Sequence, residues 1–194
     1  MTAAVDIIFD LDGTLVDSAP HIAAILSQVA GREIHASDTR QYLTQGGEQL
    51  VSALLGDANL HENLAKFRKL YRSAPTPDCL YPGVRDGLDR LVAAGRTMAI
   101  CSNKPQILCE KIVADLALDH FAVLLGSACK PCTIPLGAAL YVGDSKVDQE
   151  TAALSKIPFA FVTYGYAEAG FSFPASQFDR FDDLVHFALQ EVAA

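Results

Sequence analysis

The sequence predicts an α/β fold: a doubly wound, mostly parallel sheet with a small helical domain inserted after the first strand. Three observations predict it. Short apolar runs recur at Val5–Phe9, Thr97–Cys101, Ala122–Leu125, Ala138–Val142 and Phe159–Thr163, and continuous apolar runs mark strands buried on both faces. Helical patterns lie between most of them, an alternation that implies parallel strands joined by helical crossovers. The 87 residues between the first two runs far exceed the dozen or so a simple crossover needs, so they hold an insertion of their own.

Inside that insertion, Pro20 stands in a first helical turn, and Ile22, Ile25, Leu26 and Val29 repeat at helical spacing before Gly31. A proline near the start and a glycine past the end punctuate a helix. Further helices are expected at Ser37–Leu43, Glu48–Leu55 and Leu60–Ser73. The run Ser73-Ala-Pro-Thr-Pro-Asp78 breaks the last of these, and the chain rejoins the sheet near Tyr81-Pro-Gly83. A helical cap is therefore placed at residues 18–80, and the sheet core at 1–17 and 81–194. The core goes on with a helix at Val84–Ala94 ending on Gly95, another from Pro105 to about Leu118, and a last one at Asp182–Val192. No internal repeat is present.

Length and composition narrow the function. A chain of 194 residues, 51% hydrophobic and 20% charged, can bury a sizeable core as one domain with an insertion. Its net charge of −8 repels phosphate backbones, so nucleic acid is not an expected partner. No apolar run reaches membrane-spanning length and no secretory leader is evident, so the protein is read as soluble and cytoplasmic, a monomer or homodimer. Five cysteines form no disulfide framework and fit a reducing compartment.

The chemistry sits where strands end. Val5–Phe9 runs into Asp10-Leu-Asp12-Gly-Thr14, placing two carboxylates at the carboxyl edge, where such sheets bind ligands. Alone, Asp-Gly reads equally well as turn chemistry, with Asp12 or Asp17 capping the next helix. Ala138–Val142 shifts the balance, because it too runs into acid, Gly143-Asp144-Ser-Lys-Val-Asp148. Carboxylates gathered from two strands repel one another unless a hard cation neutralises them, and an oxygen-rich site suits Mg²⁺. Ser102-Asn103-Lys104, after a third strand, adds a hydroxyl and an amide that can hold phosphate oxygens. Asp148 reads either as an acid behind the others or as a helix-start residue.

Phe9-Asp-Leu-Asp-Gly-Thr-Leu-Val-Asp-Ser18, together with Tyr81-Pro-Gly-Val84, Ser102-Asn-Lys104, Ala139-Leu-Tyr-Val-Gly-Asp-Ser145 and Val162-Thr-Tyr-Gly-Tyr166, resembles the haloacid dehalogenase superfamily in its phosphoglycolate phosphatase-like branch. The likeness extends over nearly the whole chain. It implies an Mg²⁺-dependent phosphomonoesterase acting on a small phosphorylated metabolite, with 2-phosphoglycolate the leading candidate. Asp10 would be the nucleophile that forms an aspartyl-phosphate, and Asp12 the acid and then base. Asp10, Asp144 and the main-chain carbonyl of Asp12 would hold the metal. Thr14, Ser102, Asn103 and a lysine would bind the phosphoryl group.

The lysine departs from the family pattern. Relatives place it at a Lys-Pro step before a full helix that leads to the second acidic strand. Here the candidate is Lys130, in Cys129-Lys-Pro-Cys132, and only Pro131–Gly137 lies between it and the strand. Seven residues with two prolines form no ordinary helix, so that crossover helix is expected to be missing or shortened. Eight chain steps reach about 26–29 Å, and spanning three strand spacings while descending one strand needs about 22 Å. The link closes only when nearly extended, and it is expected to leave one sheet face thinly covered, either as an exposed apolar patch beside Ala138–Val142 that a second copy or another partner fills, or as a marginally stable monomer with Lys130 mobile and catalysis weak.

Cys129 and Cys132 also permit a redox or zinc reading, but no second pair follows at zinc spacing. Lys104 is an alternative to Lys130, though its position suits a helix start. In the cap, Arg40, Thr44, Gly46 and Gly47 are substrate-binding candidates, while Lys66–Arg72 reads as solvated helix charge with Glu62 pairing Lys66. The five histidines show no ligand spacing. A phosphosugar mutase remains open, since it needs both Asp10 and Asp12, as does a non-catalytic relative that binds phosphate or a partner.

Overall fold

In the computed structural model, which describes residues 5–167 and 176–191, six strands form one sheet: β1 (Ile7–Phe9), β2 (Met98–Cys101), β3 (Phe121–Leu125), β4 (Leu140–Gly143), β5 (Phe159–Val162) and β6 (Gln177–Phe178). Their order is β3-β2-β1-β4-β5-β6, and every pair is parallel. Five coincide with the apolar runs to within two residues at each end. The sixth, two residues long, offers no periodicity to read.

Eight α-helices connect and cover these strands: α1 (Ala19–Ala30), α2 (Ala36–Arg40), α3 (Gly47–Leu55), α4 (Leu60–Ser73), α5 (Val84–Ala93), α6 (Gln106–Asp115), α7 (Lys146–Ser155) and α8 (Phe181–Glu191). α1 ends as its punctuation requires, with Gly31 at φ 66 donating its N–H to the Ser27 carbonyl. The helix expected at Ser37–Leu43 is shorter. Buried Thr39 turns its hydroxyl back onto the Ala36 carbonyl at 2.8 Å, and after Arg40 the chain tightens into a 3-10 turn at Leu43–Gln45. α7 realises the helix-start reading of Asp148, which forms with Ser145 the reciprocal capping box that announces a helix. Val192, the expected end of α8, lies outside the described residues.

Alternation along the strands divides the core into two layers. Ile7, Phe9, Met98, Ile100, Leu140 and Val142 face one way, against Leu88 and Leu91 of α5, Ile112 of α6, and Phe181, Leu184 and Val185 of α8. Ile8, Ala99, Cys101 and Tyr141 face the other way. That second layer is thinner, because no helix occurs between β3 and β4. In its place the link threads Ile134 into the layer, with Ala152 of α7, Ile157 and the wholly buried Tyr141. Ser155, at the end of α7, accepts the Ile134 N–H at 2.9 Å, which fixes the link over the sheet. Val123, Leu125, Leu136 and Phe159 at its margin are half-buried. The expected exposed patch is therefore reduced to a partly covered border, since one isoleucine and one tyrosine occupy the space of a helix.

The insertion has its own apolar centre. Ile22, Ile25 and Leu26 of α1 meet Leu50 and Val51 of α3 and Leu64, Phe67 and Tyr71 of α4, and Leu108 of α6 joins them from the sheet side. Its two crossings run side by side: Val16 bridges Leu80, and the Asp17 N–H donates to the Cys79 carbonyl at 2.8 Å.

Because Ile134 is the main apolar cover contributed by the link, Ile134→Ala is expected to destabilise the fold by about 2–5 kcal/mol, measured by denaturant unfolding. A loss within a few tenths of a kcal/mol would show that the thin layer does not rest on it.

Candidate active site

Every chemically distinctive group converges on the carboxyl edge of the sheet. β1 delivers Asp10 and Asp12, β2 Ser102 to Lys104, β4 Asp144 to Asp148, and β5 Tyr164 to Tyr166. The packing is close enough to demand glycine. Gly13 has φ +87, and a Cβ there would lie 2.1 Å from Asp144 Oδ2; one on Gly165 would lie 2.3 Å from the Cβ of Asp144. Two backbones thus press against the Asp144 carboxylate, and the Tyr166 N–H donates to its Oδ2.

Lys130 lies at the centre. Its Nζ donates to Asp10 Oδ1 at 2.7 Å and to Asp148 Oδ1 at 2.5 Å, with the side chain only 4% exposed. Burial alone would lower its pKa, but the charges of Asp10 and Asp148 hold it above the ordinary lysine value. The short link therefore does bring this lysine to the nucleophile candidate. Asn103 holds the lysine's backbone from both sides, accepting its N–H at 2.5 Å and donating to its carbonyl at 3.3 Å. Its carbonyl and one of its two amide N–H groups thus serve the loop, and Asn103 also lines the cavity at the sheet edge. Asp148 plays both of the parts left open for it, since its Oδ2 caps α7 through Ser145 while Oδ1 takes Lys130 and the Tyr141 hydroxyl.

Asp10, Asp144 and Asp148 each offer an oxygen within 4.8 Å of the others, all buried. Both oxygens of Asp148 are already bonded, so Asp10 and Asp144 are the side chains able to turn to a cation. Three buried acids against one ammonium leave negative charge that a divalent ion balances. Without it, burial raises Asp10 to about 7 against the opposing pull of Lys130. Burial, reinforced by Asp148 and Asp10, pushes Asp144 well above the carboxylate range. Asp12 Oδ1 and the Thr14 hydroxyl are buried without a partner among the described residues, and Ser102 is buried beside them. Unpaired polar atoms of this kind point to a bound ligand.

A cavity of about 170 Å³ opens above these groups, between the sheet edge and the insertion. Of the insertion residues singled out in the sequence, Thr44, Gly46 and Gly47 line it. Arg40 does not: it pairs with Asp17 at 2.7 Å and lies over the Tyr166 ring. Lys66 pairs with Glu62 at 2.6 Å as expected, yet Arg68 of the same helix lines the cavity, because α4 turns one side toward the sheet. Tyr71 carried no signal in the sequence, and Lys104, the alternative to Lys130, takes a place of its own. Lys104 does not start α6; its Nζ reaches Asp12 Oδ2 at 3.3 Å and the Tyr71 hydroxyl at 3.2 Å. All five cysteines are free, with Cys129 exposed and Cys132 half-buried, and the acid trio is the one metal-capable group found among the described residues. No helix among those residues is long and apolar enough to cross a membrane.

Comparison with known proteins agrees with this geometry. The profile of the haloacid dehalogenase-like hydrolase family matches residues 7–131 and stops where the short link begins. Phosphoglycolate phosphatase from Cereibacter sphaeroides is 33% identical over 189 residues, covering 84% of this chain and 87% of its own. The Rhodobacter capsulatus enzyme of that name is 33% identical over 185 residues, covering 82% and 84%. The aligned stretches exceed the share of this chain that they cover, as gaps opposite it require. Among solved structures, a protein from Haemophilus somnus described as a predicted phosphoglycolate phosphatase is similar with a TM-score of 0.81 at 24% identity, over 96% of this chain and 99% of the other. A haloacid dehalogenase-like hydrolase from Streptococcus pneumoniae gives 0.74 at 21%, over 96% and 99%. The chain belongs to the haloacid dehalogenase-like hydrolase family, among its phosphatases.

Proposed function

We propose that this protein is an Mg²⁺-dependent phosphomonoesterase that works through an aspartyl-phosphate on Asp10, with 2-phosphoglycolate as its leading substrate. The observation that carries the reading is the Lys130 ammonium held between Asp10 and Asp148 at the sheet edge. A cation fixed there can bind a phosphoryl oxygen and keep Asp10 aimed at phosphorus. It also speaks against a non-catalytic relative, since the group most at risk from the short link is in place. The substrate preference rests on the names of the two bacterial relatives.

In the first step an oxygen of Asp10 attacks phosphorus, the ester P–O bond breaks, and Asp12 gives its proton to the departing alcohol oxygen. In the second, Asp12 takes a proton from water as that water attacks the phosphorus of the aspartyl-phosphate, releasing inorganic phosphate and restoring Asp10. Asp10, Asp144 and the main-chain carbonyl of Asp12 would hold Mg²⁺, which supplies positive charge against the phosphoryl oxygens. Thr14 and Ser102, both buried at the edge, would donate to those oxygens. Residues 18–80 act as a cap hinged at the paired crossings near Asp17 and Cys79, closing over the edge to exclude water. We place the enzyme in the cytoplasm, as a monomer or homodimer.

Asp10→Asn is expected to abolish Mg²⁺-dependent hydrolysis of 2-phosphoglycolate while leaving the circular dichroism spectrum unchanged. Retention of more than a few per cent of the rate would remove Asp10 from the covalent role.

The raised Asp10 pKa gives a second readout in the metal-free protein. Its folded value of about 7 exceeds the unfolded value of about 3.9, so the folded state binds the extra proton. That contribution to stability is complete below about pH 4 and is lost as pH rises through about 7. The metal-free melting temperature should therefore fall between pH 5.5 and 8, and the fall should shrink in Asp10→Asn. An equal fall in both proteins would assign the effect to other groups.

A further inference from the structure

We propose that Lys104 is the specificity residue of this site: its ammonium reads a carboxylate on the leaving group, so the enzyme selects phosphate esters of small hydroxy acids over esters of neutral alcohols. The inference rests on the phosphatase reading and deepens it.

Position gives the first argument. Lys104 lies two residues beyond Ser102 at the end of β2, and its Nζ is 3.3 Å from Asp12 Oδ2. If Asp12 protonates the departing oxygen, its neighbour stands on the leaving-group side of the site. Lys130, by contrast, contacts Asp10 and Asp148, the side from which phosphorus is attacked. The two buried lysines thus divide between the two halves of a phosphate ester.

Burial and bonding give the second. Lys104 is 9% exposed and lines the cavity, where an ammonium is retained only against partners. Its contacts are Asp12, the Tyr71 hydroxyl at 3.2 Å and the Tyr71 ring face at 4.9 Å. An ammonium has three N–H groups and no lone pair, and the two oxygen partners leave one N–H for a ligand. Lys104 is thus a cationic donor in a cavity lined on its apolar side by Leu50, Leu64, Phe67 and Leu108. In a 2-phosphooxy carboxylate the acid group is two bonds from the ester oxygen, which brings it within reach of a cation adjoining Asp12.

Tyr71 gives the third. It belongs to α4 in the insertion, whereas Lys104 belongs to the sheet edge, so their bond exists only while the insertion lies over the site. A leaving-group carboxylate on Lys104 would therefore be enclosed by both parts of the chain.

The test compares kcat/KM for 2-phosphoglycolate and 2-hydroxyethyl phosphate, esters of similar size in which a carboxylate is replaced by a hydroxymethyl group. The native protein is expected to prefer phosphoglycolate by about tenfold to a hundredfold, the contribution of one charge-assisted hydrogen bond. Lys104→Gln should bring the ratio toward one, and Lys104→Arg should restore most of it. Any loss acting through Asp12 or through folding affects both esters and cancels in the ratio. In the native protein, glycolate should inhibit p-nitrophenyl phosphate hydrolysis where ethylene glycol at the same concentration does not. A ratio near one in the native protein, or a ratio unchanged by Lys104→Gln, overturns the inference while leaving the phosphatase reading intact. Absence of Mg²⁺-dependent turnover on every ester overturns both.

Discussion

The bond between Lys130 and two buried carboxylates is the constraint to which the rest of the molecule conforms. Asp10 and Asp148 come from different strand ends, and bringing acids so close in a medium of low dielectric is unfavourable unless a cation joins them. The cation comes from a loop that has to cross two strands, a distance of three strand spacings, to reach the next one. Everything in that loop serves delivery: Asn103 holds its backbone on one side, Ser155 holds Ile134 on the other, and Tyr141 below fills the layer and touches both Lys130 and Asp148. A chain that has lost a crossover helix keeps its chemistry only if the remaining residues perform both of that helix's tasks, covering the sheet and ending at the right place.

Those two tasks explain an asymmetry in the core. On the fully covered face, α5, α6 and α8 lie over strands whose inward residues are mostly large and aliphatic. On the thin face, small Ala99 and Cys101 sit beside the wholly buried ring of Tyr141, with Phe159 half-buried at the margin. Tyrosine suits this place for two reasons: its ring supplies area that a missing helix would have provided, and its hydroxyl has a charged partner, so burial leaves it satisfied.

Much of this was legible in the sequence, and the boundary of legibility has a physical form. Five strands, the acids at their ends and the absent helix could be read because each is a local pattern: an apolar run, a turn residue after it, or too few residues for a helix. α7 was legible too, through the helix-start reading of Asp148 that its capping box with Ser145 realises. Arg40, Arg68 and Lys104 could not be sorted this way. All three are basic residues near apolar patterns, and only the rotation of α4 and the path of the chain after β2 decide that Arg68 and Lys104 enter the cavity while Arg40 turns to Asp17. The hold of Asn103 on the lysine loop was hidden for a related reason, since its partner Lys130 is 27 positions away and no spacing rule links them.

Tyr166 shows how the fixed and the movable parts are reconciled. Its backbone N–H holds Asp144, its hydroxyl donates to Asp17 at 2.8 Å and accepts from the Ala19 N–H at 3.2 Å, and Arg40 lies over its ring. One residue thus touches a metal-ligand candidate through its main chain and the root of the insertion through its side chain. The separation matters, because a backbone bond at the end of β5 is fixed by the sheet, whereas a side-chain contact can be exchanged when α1 turns. The closure proposed at the Asp17 crossing would therefore alter the cavity above without moving the carboxylate below, as the proposed alignment of Asp10 and Asp144 would require.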